Sequence, residues 1–170
     1  MKNILLLGAN GFVGTHVALA LKDEACHLTL VVRDPTKLHK NLHALTQKVG
    51  DLRDPSFVKT LFKGFDIVIN AFAWTALYGK EKMSKEAYLF PTLALIDHAK
   101  ASGVQRFINL STSSAASKHE AKDANAKGVK KAFWPHLNSV ITIEDHLREV
   151  ATSEFEVINM RCGLINHFKL

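Results

Sequence analysis

The sequence holds only two cysteines, Cys26 and Cys162, far apart and in no paired pattern. That argues against a disulfide framework and offers no zinc motif. Its nine histidines are scattered without ligand spacing, so no metal site is expected. No apolar run reaches the ~18 residues of a membrane span, so no membrane partner is expected. The first apolar segment, Asn3–Leu7, is too short for the core of a secretory signal, and no small-residue cleavage site follows it. A cytoplasmic protein is expected. Internal repeats and linker-like stretches are also lacking, so residues 1–170 read as a single domain. Tyrosine is absent beyond Tyr88, which limits the proton chemistry considered below.

The formal net charge is +6. The basic residues are dispersed, and the densest stretches, 80–85 and 118–131, also carry acids. Such a surface suits a small anionic ligand better than nucleic acid.

Six short apolar strands alternate with helical segments. The strands are expected over Asn3–Leu7, Leu28–Val32, a segment ending near Val49, Asp66–Asn70, Arg106–Leu110 and Phe155–Met160. Helices are expected over Phe12–Lys22, from Pro55 to near Gly64, over Lys82–Ser102, and over Leu137–Ala151; a short helix is expected within Pro35–Leu45. The polar stretch Ser111–Lys131 reads as a loop that could serve as a lid. Alternating strands and helices imply an α/β fold, a Rossmann-type doubly wound parallel sheet in three layers. Right-handed crossovers favour strand order 3-2-1-4-5-6, with a ligand crevice between strands one and four.

Gly8-Ala9-Asn10-Gly11-Phe12-Val13-Gly14 leaves the first strand and opens the first helix. Gly8 permits a tight exit, Gly11 lets a pyrophosphate approach the backbone, and Gly14 lets the helix pack closely. The helix N-terminus adds free amides and partial positive charge. Arg33 stands where an acid would bond the ribose of NAD, with Lys37 one turn on; a guanidinium suits a 2′-phosphate, so NADP is favoured over NAD. The alternative is a solvated Arg33, with Asp34 taking the ribose. Asp51 is placed to accept from an adenine amino group, and Asp54 to cap the helix at Pro55.

These motifs, with Gly50-Asp51-Leu52, Asn70-Ala71-Phe72-Ala73 and Phe107-Ile108-Asn109-Leu110-Ser111-Thr112-Ser113, resemble the short-chain dehydrogenase/reductase superfamily in its extended and atypical branches. Phe133-Trp134-Pro135, ahead of a helix bearing Glu144, is similar to the small NADH-flavin reductase and NmrA-like branch. The resemblance implies that Gly8, Asn10, Gly11, Phe12 and Val13 line the pyrophosphate. Arg33 would meet the adenosine ribose or its phosphate, and Asp51 and Leu52 the adenine. Ala71, Phe72 and Ala73 would back the nicotinamide ribose, and Ser111 and Thr112 would face the nicotinamide and substrate. The superfamily's Tyr-Lys proton pair is missing: its positions hold His136 and Val140. Tyr78 and Lys82 have the right spacing but follow the wrong strand. The strand and helix that close the substrate side in family members are also not found after Gly163, which leaves an open cleft, a cover from a homodimer partner, or a truncated form.

Thr112 and His136 are therefore the candidate catalytic residues, and Phe72, Trp74 and Trp134 candidates to stack on a flat substrate. The function expected is NAD(P)H-dependent reduction of a small acceptor such as a flavin or quinone, which needs little help from a protein acid. A non-catalytic NADP-binding redox sensor is the alternative, and a nucleotide-sugar epimerase or dehydratase a weaker third.

Overall fold

A computed structural model of the protein describes residues 1–74, 80–115 and 135–163. Its centre is a six-stranded parallel sheet in the order β3-β2-β1-β4-β5-β6. The strands are β1 (Lys2–Leu7), β2 (Cys26–Val32), β3 (Thr46–Val49), β4 (Ile67–Asn70), β5 (Arg106–Thr112) and β6 (Glu156–Cys162). The helices are α1 (Phe12–Leu21), α2 (Pro55–Leu61), α3 (Glu81–Ser84), α4 (Phe90–Ala101) and α5 (Pro135–Val150). This is the Rossmann-type α/β fold expected from the alternation of elements.

The period-two alternation of the strands sorts the core into two halves. Leu5 and Leu7 of β1 join Val31, Val68 and Phe107 beneath α2, α4 and α5. Ile4 and Leu6 point the other way, joining Leu28, Leu30 and Val32 under Ala18 of α1 and the loop residues Leu38 and Leu42. β1 is therefore apolar on both faces, as a central parallel strand must be. On the α1 side the sheet is covered less completely, and Ile158 and Met160 of β6 are exposed.

Three elements differ from the sequence reading, each for a local reason. Pro35–Leu45 does not form one helix but two single 3₁₀ turns, Pro35–Lys37 and Lys40–Leu42. The Asp34 carboxylate accepts from the Thr36 N–H at 3.0 Å, and His39 Nδ1 accepts from the Asn41 N–H at 3.3 Å, so each residue starts a fresh turn. The helix expected over Lys82–Ser102 begins at Glu81 and widens into a π turn over Lys85–Leu89. Pro91 cannot donate to Ala87 and its ring crowds that carbonyl; the wider turn just before it relieves both problems. β5 runs two residues past Leu110, pairing Ser111 with Arg161 and Thr112 with Cys162. Residues 111–115, expected to open a loop, are thus strand and a 3₁₀ turn. The rest of the expected loop, Tyr78 and Trp134 lie outside the described residues.

Level with the carboxyl end of β4, asparagines of β4, β5 and β6 stand in register. Asn70 Nδ2 donates to Asn109 Oδ1 at 2.9 Å, and Asn109 Nδ2 donates to Asn159 Oδ1 at 3.0 Å. Asn70 Oδ1 in turn accepts from the Phe72 N–H at 3.2 Å. This ladder fixes the chain where it leaves β4, directly beneath the crevice.

Candidate functional site

The turn after β1 is held by backbone contacts that admit no side chain. Gly8 adopts φ of +76°, and a Cβ there would lie 2.7 Å from the Ala71 carbonyl oxygen. A Cβ on Gly14 would run into the Gly8 carbonyl, so α1 packs closely on the turn itself rather than on the sheet at large. Thr15 Oγ1 donates to the Ala9 carbonyl at 3.0 Å and braces the same turn. Gly11 is the N-cap of α1; no side chain caps this end, and no acid lies in the first turn. The positive end of the helix is left for an external anion.

Along this turn runs a cavity of about 530 Å³. Gly8, Asn10, Gly11, Phe12, Val13, Arg33, Asp51, Leu52, Ala71, Phe72 and Ala73 all line it, as does Trp74. Asn10 Nδ2 donates to the Asp34 carbonyl at 2.8 Å, while its Oδ1 is buried without a partner. An unmet buried acceptor costs about 1–3 kcal/mol.

One end of this cavity is charged. Asp51 accepts two bonds from the Arg53 guanidinium, at 2.9 and 2.5 Å, and one from the Arg53 N–H. Those bonds to Arg53 lower its pKa to about 2, with the field of Arg33 adding to the effect. Asp34 is committed as well: the Thr36 hydroxyl and N–H hold its carboxyl below the usual carboxylate range, with Lys37 at 3.7 Å. Asp34 caps the turn at Pro35 through Oδ1. Both acids are thus matched by a cation, and Arg33 remains exposed with no hydrogen bond or ion pair to another described residue. Asp54 caps α2 through the Ser56 N–H at 2.9 Å.

A second cavity, about 580 Å³, opens over the ends of β4, β5 and β6. It shares Val13, Ala71, Phe72 and Ala73 with the first, so the two adjoin. Ser111, Thr112, His136 and Val140 line it, together with Tyr88. His136 is not the surface or capping residue that a lone histidine at a helix start suggests. It is buried, its Nδ1 lies 2.9 Å from Ser84 Oγ, and Ser84 Oγ lies 2.9 Å from Ser139 Oγ. Burial lowers its pKa, so the ring is neutral near pH 7. Tyr88 packs on it with ring centroids 5.0 Å apart, Trp74 stands edge-on at 5.8 Å, and Phe72 lies 6.0 Å from Tyr88. Burial, aided by the negative field of Glu144, pushes the Tyr88 phenol up to about 12.

Ser111 and Thr112 reach the second cavity in different states. Ser111 donates to the buried Glu144 at 2.5 Å, and Arg161 clamps the same carboxylate from β6 at 2.7 Å. This network ties α5 to β5 and β6. Thr112 Oγ1 accepts from the Ser114 N–H at 3.3 Å, which leaves its own O–H able to donate.

The structure thus gathers every cofactor-site and catalytic candidate around two adjoining cavities. The sequence reading missed Tyr88, the pairing of Asp51 with Arg53, and the asparagine ladder. The ladder did leave a signal: Val68-Ile69-Asn70, Phe107-Ile108-Asn109 and Val157-Ile158-Asn159 repeat one pattern in three strands.

Known proteins agree with this geometry. The NAD(P)H-binding family matches residues 8–166. The chain belongs to the NAD(P)H-binding family. No curated protein matches the sequence of this family member. Among solved structures, a UDP-Glc/GlcNAc 4-epimerase from Campylobacter jejuni superposes with TM-score 0.78 at 20% identity, over 95% of this chain and 53% of its own. A short-chain dehydrogenase/reductase superfamily protein from Agrobacterium tumefaciens, with bound NAD, gives 0.73 at 20% identity, over 94% of this chain and 48% of its own. The oxidoreductase ylbE from Lactococcus lactis gives 0.71 at 18% identity, over 92% and 68%. These likenesses show that the NAD(P)H-binding chain shares the Rossmann-type fold of these proteins. It spans about half the length of the first two.

Proposed function

We propose that this chain is an NADPH-dependent reductase of a small, flat acceptor such as a quinone or flavin. The observation that carries the reading is a pair of adjoining cavities of distinct chemistry: cationic beside Arg33, and with no charged side chain among the described lining residues beside Thr112. The residues present fit a dinucleotide. The glycine turn and the uncapped end of α1 form a cradle for a pyrophosphate. Arg33, with both neighbouring acids already paired, seats a 2′-phosphate; this favours NADP over NAD. Asp51 retains lone pairs for the adenine amino group beside Leu52.

Ala71, Phe72 and Ala73 form the shared wall against which a nicotinamide ribose rests, and Phe72 is pinned there by Asn70. The bound dinucleotide supplies the hydride. The chain orients the acceptor: Thr112 donates a hydrogen bond to it, while Phe72, Trp74 and Tyr88 offer aromatic surface. His136 and Val140 occupy the positions of the superfamily's Tyr-Lys pair, and His136, being neutral, works as a hydrogen-bonding group rather than as an imidazolium. This favours acceptors that need no strong acid over sugar epimerisation. The same lack of an acid supports a second reading, a binding module that senses NADP without turnover.

Two measurements test the proposal. Arg33→Asp removes charge-assisted bonds worth about 1.5–3 kcal/mol, so NADPH affinity should fall at least about tenfold with NADH affinity unchanged. An equal fall for both overturns the NADP assignment. Mixing protein, NADPH and a naphthoquinone while following nicotinamide absorbance separates the readings: turnover supports the reductase, and tight binding without turnover supports the sensor.

A further inference from the structure

Tyr88 is a buried residue with a polar atom left over. It is 4% exposed, lines the second cavity, and its hydroxyl makes no hydrogen bond to any described residue. A buried phenol ordinarily finds a partner. Tyr88 forms part of the wall of the second cavity, which is where a partner for the hydroxyl can enter. The π turn carries it there, and such turns recur at functional sites. Its ring is held against His136, which Ser84 holds in turn, and Ser84 is itself bonded to Ser139.

The cavity wall has a second property. None of the described residues lining it is Asp, Glu, Lys or Arg, in contrast to the first cavity, which carries Arg33, Asp34, Lys37, Asp51 and Arg53. A ligand charge buried in the second cavity would find no counter-charge among these described lining residues, and that is costly. Oxygen acceptors on a neutral ligand would meet two neutral donors, the Tyr88 and Thr112 hydroxyls.

We propose that Tyr88 and Thr112 together form a neutral seat for the carbonyl oxygens of an uncharged quinone. This rests on the reductase reading and narrows it to one substrate class. In the reaction the quinone takes a hydride, two electrons with one proton, from NADPH, which leaves as NADP⁺. A second proton comes from water, giving the hydroquinone. Tyr88 stays protonated throughout, consistent with a phenol at about 12, and touches the substrate as a hydrogen-bond donor. Hydroquinone oxygens are weak bases, so no stronger acid is required.

The test compares a naphthoquinone with its sulfonated analogue, titrated against protein loaded with NADP⁺ and read by quenching of tryptophan fluorescence. Wild type should bind the neutral quinone at least about tenfold more tightly than the sulfonate. Tyr88→Phe should weaken the neutral quinone by about threefold to tenfold, with NADP⁺ affinity and melting temperature unchanged. Thr112→Val should do the same. Equal affinity for the two quinones, or a Tyr88→Phe protein that binds like wild type, overturns the proposal. If Tyr88→Phe melts lower, the wild-type preference and Thr112→Val still decide it. Failure of NADP⁺ to bind wild type sinks the underlying reading; NADP⁺ binding without quinone binding sinks this inference alone.

Discussion

Adding one methyl group at Gly11 separates the role of the glycine turn in folding from its role in binding. Gly11 has φ of −74° and ψ of 163°, a conformation any residue adopts. A Cβ there would meet only the Gly8 carbonyl oxygen, at 3.3 Å, so a shift of a few tenths of an ångström accommodates it. Gly→Ala reduces the freedom of the unfolded chain, stabilising by about 0.4–1 kcal/mol. Alanine is a poorer N-cap than glycine, which offsets a comparable amount. The net change in stability for Gly11→Ala is within about 1 kcal/mol, or roughly 2–4 °C in melting temperature for a chain of this size. Binding responds differently. If the methyl stands where a pyrophosphate must touch the backbone, overpacking costs about 1–3 kcal/mol. That is a loss of about 5-fold to 150-fold in affinity for NADPH. Thermal melts and fluorescence titrations on one preparation measure both effects. Gly8→Ala serves as the contrast: its positive φ and its contact with Ala71 make it lose stability outright. A Gly11→Ala protein that binds NADPH within about twofold of wild type refutes the placement of the phosphates.

Asn109→Ala removes the middle of the asparagine ladder and strands the Asn70 amide and the Asn159 oxygen. Leaving such groups unpaired costs about 3 kcal/mol, seen as a melting point lower by about 10 °C. His136 gives a pH dependence. Burial lowers its folded pKa below the unfolded value of about 6.5, so the unfolded chain binds more protons in acid. Its contribution is fully present above pH ~6.5 and is lost as pH falls below it, with a slope of up to about 1.4 kcal/mol per pH unit. Urea melts of wild type and His136→Gln through this range should converge as the pH falls; parallel curves would contradict the assignment.

Much of the fold was legible because backbone needs leave letters in the sequence. A central parallel strand must be apolar on both faces, so Ile4-Leu5-Leu6-Leu7 reads as β1. A turn that presses Gly8 against Ala71 and Gly14 against Gly8 must be written in glycine. Asp54-Pro55 announces a helix start, and the structure places both as read. Other features depend on contacts between distant segments. The place of Tyr88 follows from a π turn forced by Pro91 and from packing against a helix that begins 47 residues later, at Pro135. Asp51 lies in the cavity as expected, yet its link to Arg53 depends on the loop conformation between them. The Ile-Asn pattern was visible three times, but only the strand register turns it into a ladder. His136 was singled out by its place where the resemblance puts a tyrosine, but its burial and its contacts with Ser84 and Tyr88 depend on the assembled cavity.

The backbone amides at the start of α1 offer the most direct measurement. Amide NMR spectra recorded while NADPH is added should show the largest shifts at Gly11, Phe12 and Val13, with further shifts at Arg33 and at Ala71 to Ala73. Saturable binding that leaves residues 8–14 unmoved, or no binding at all, would contradict it.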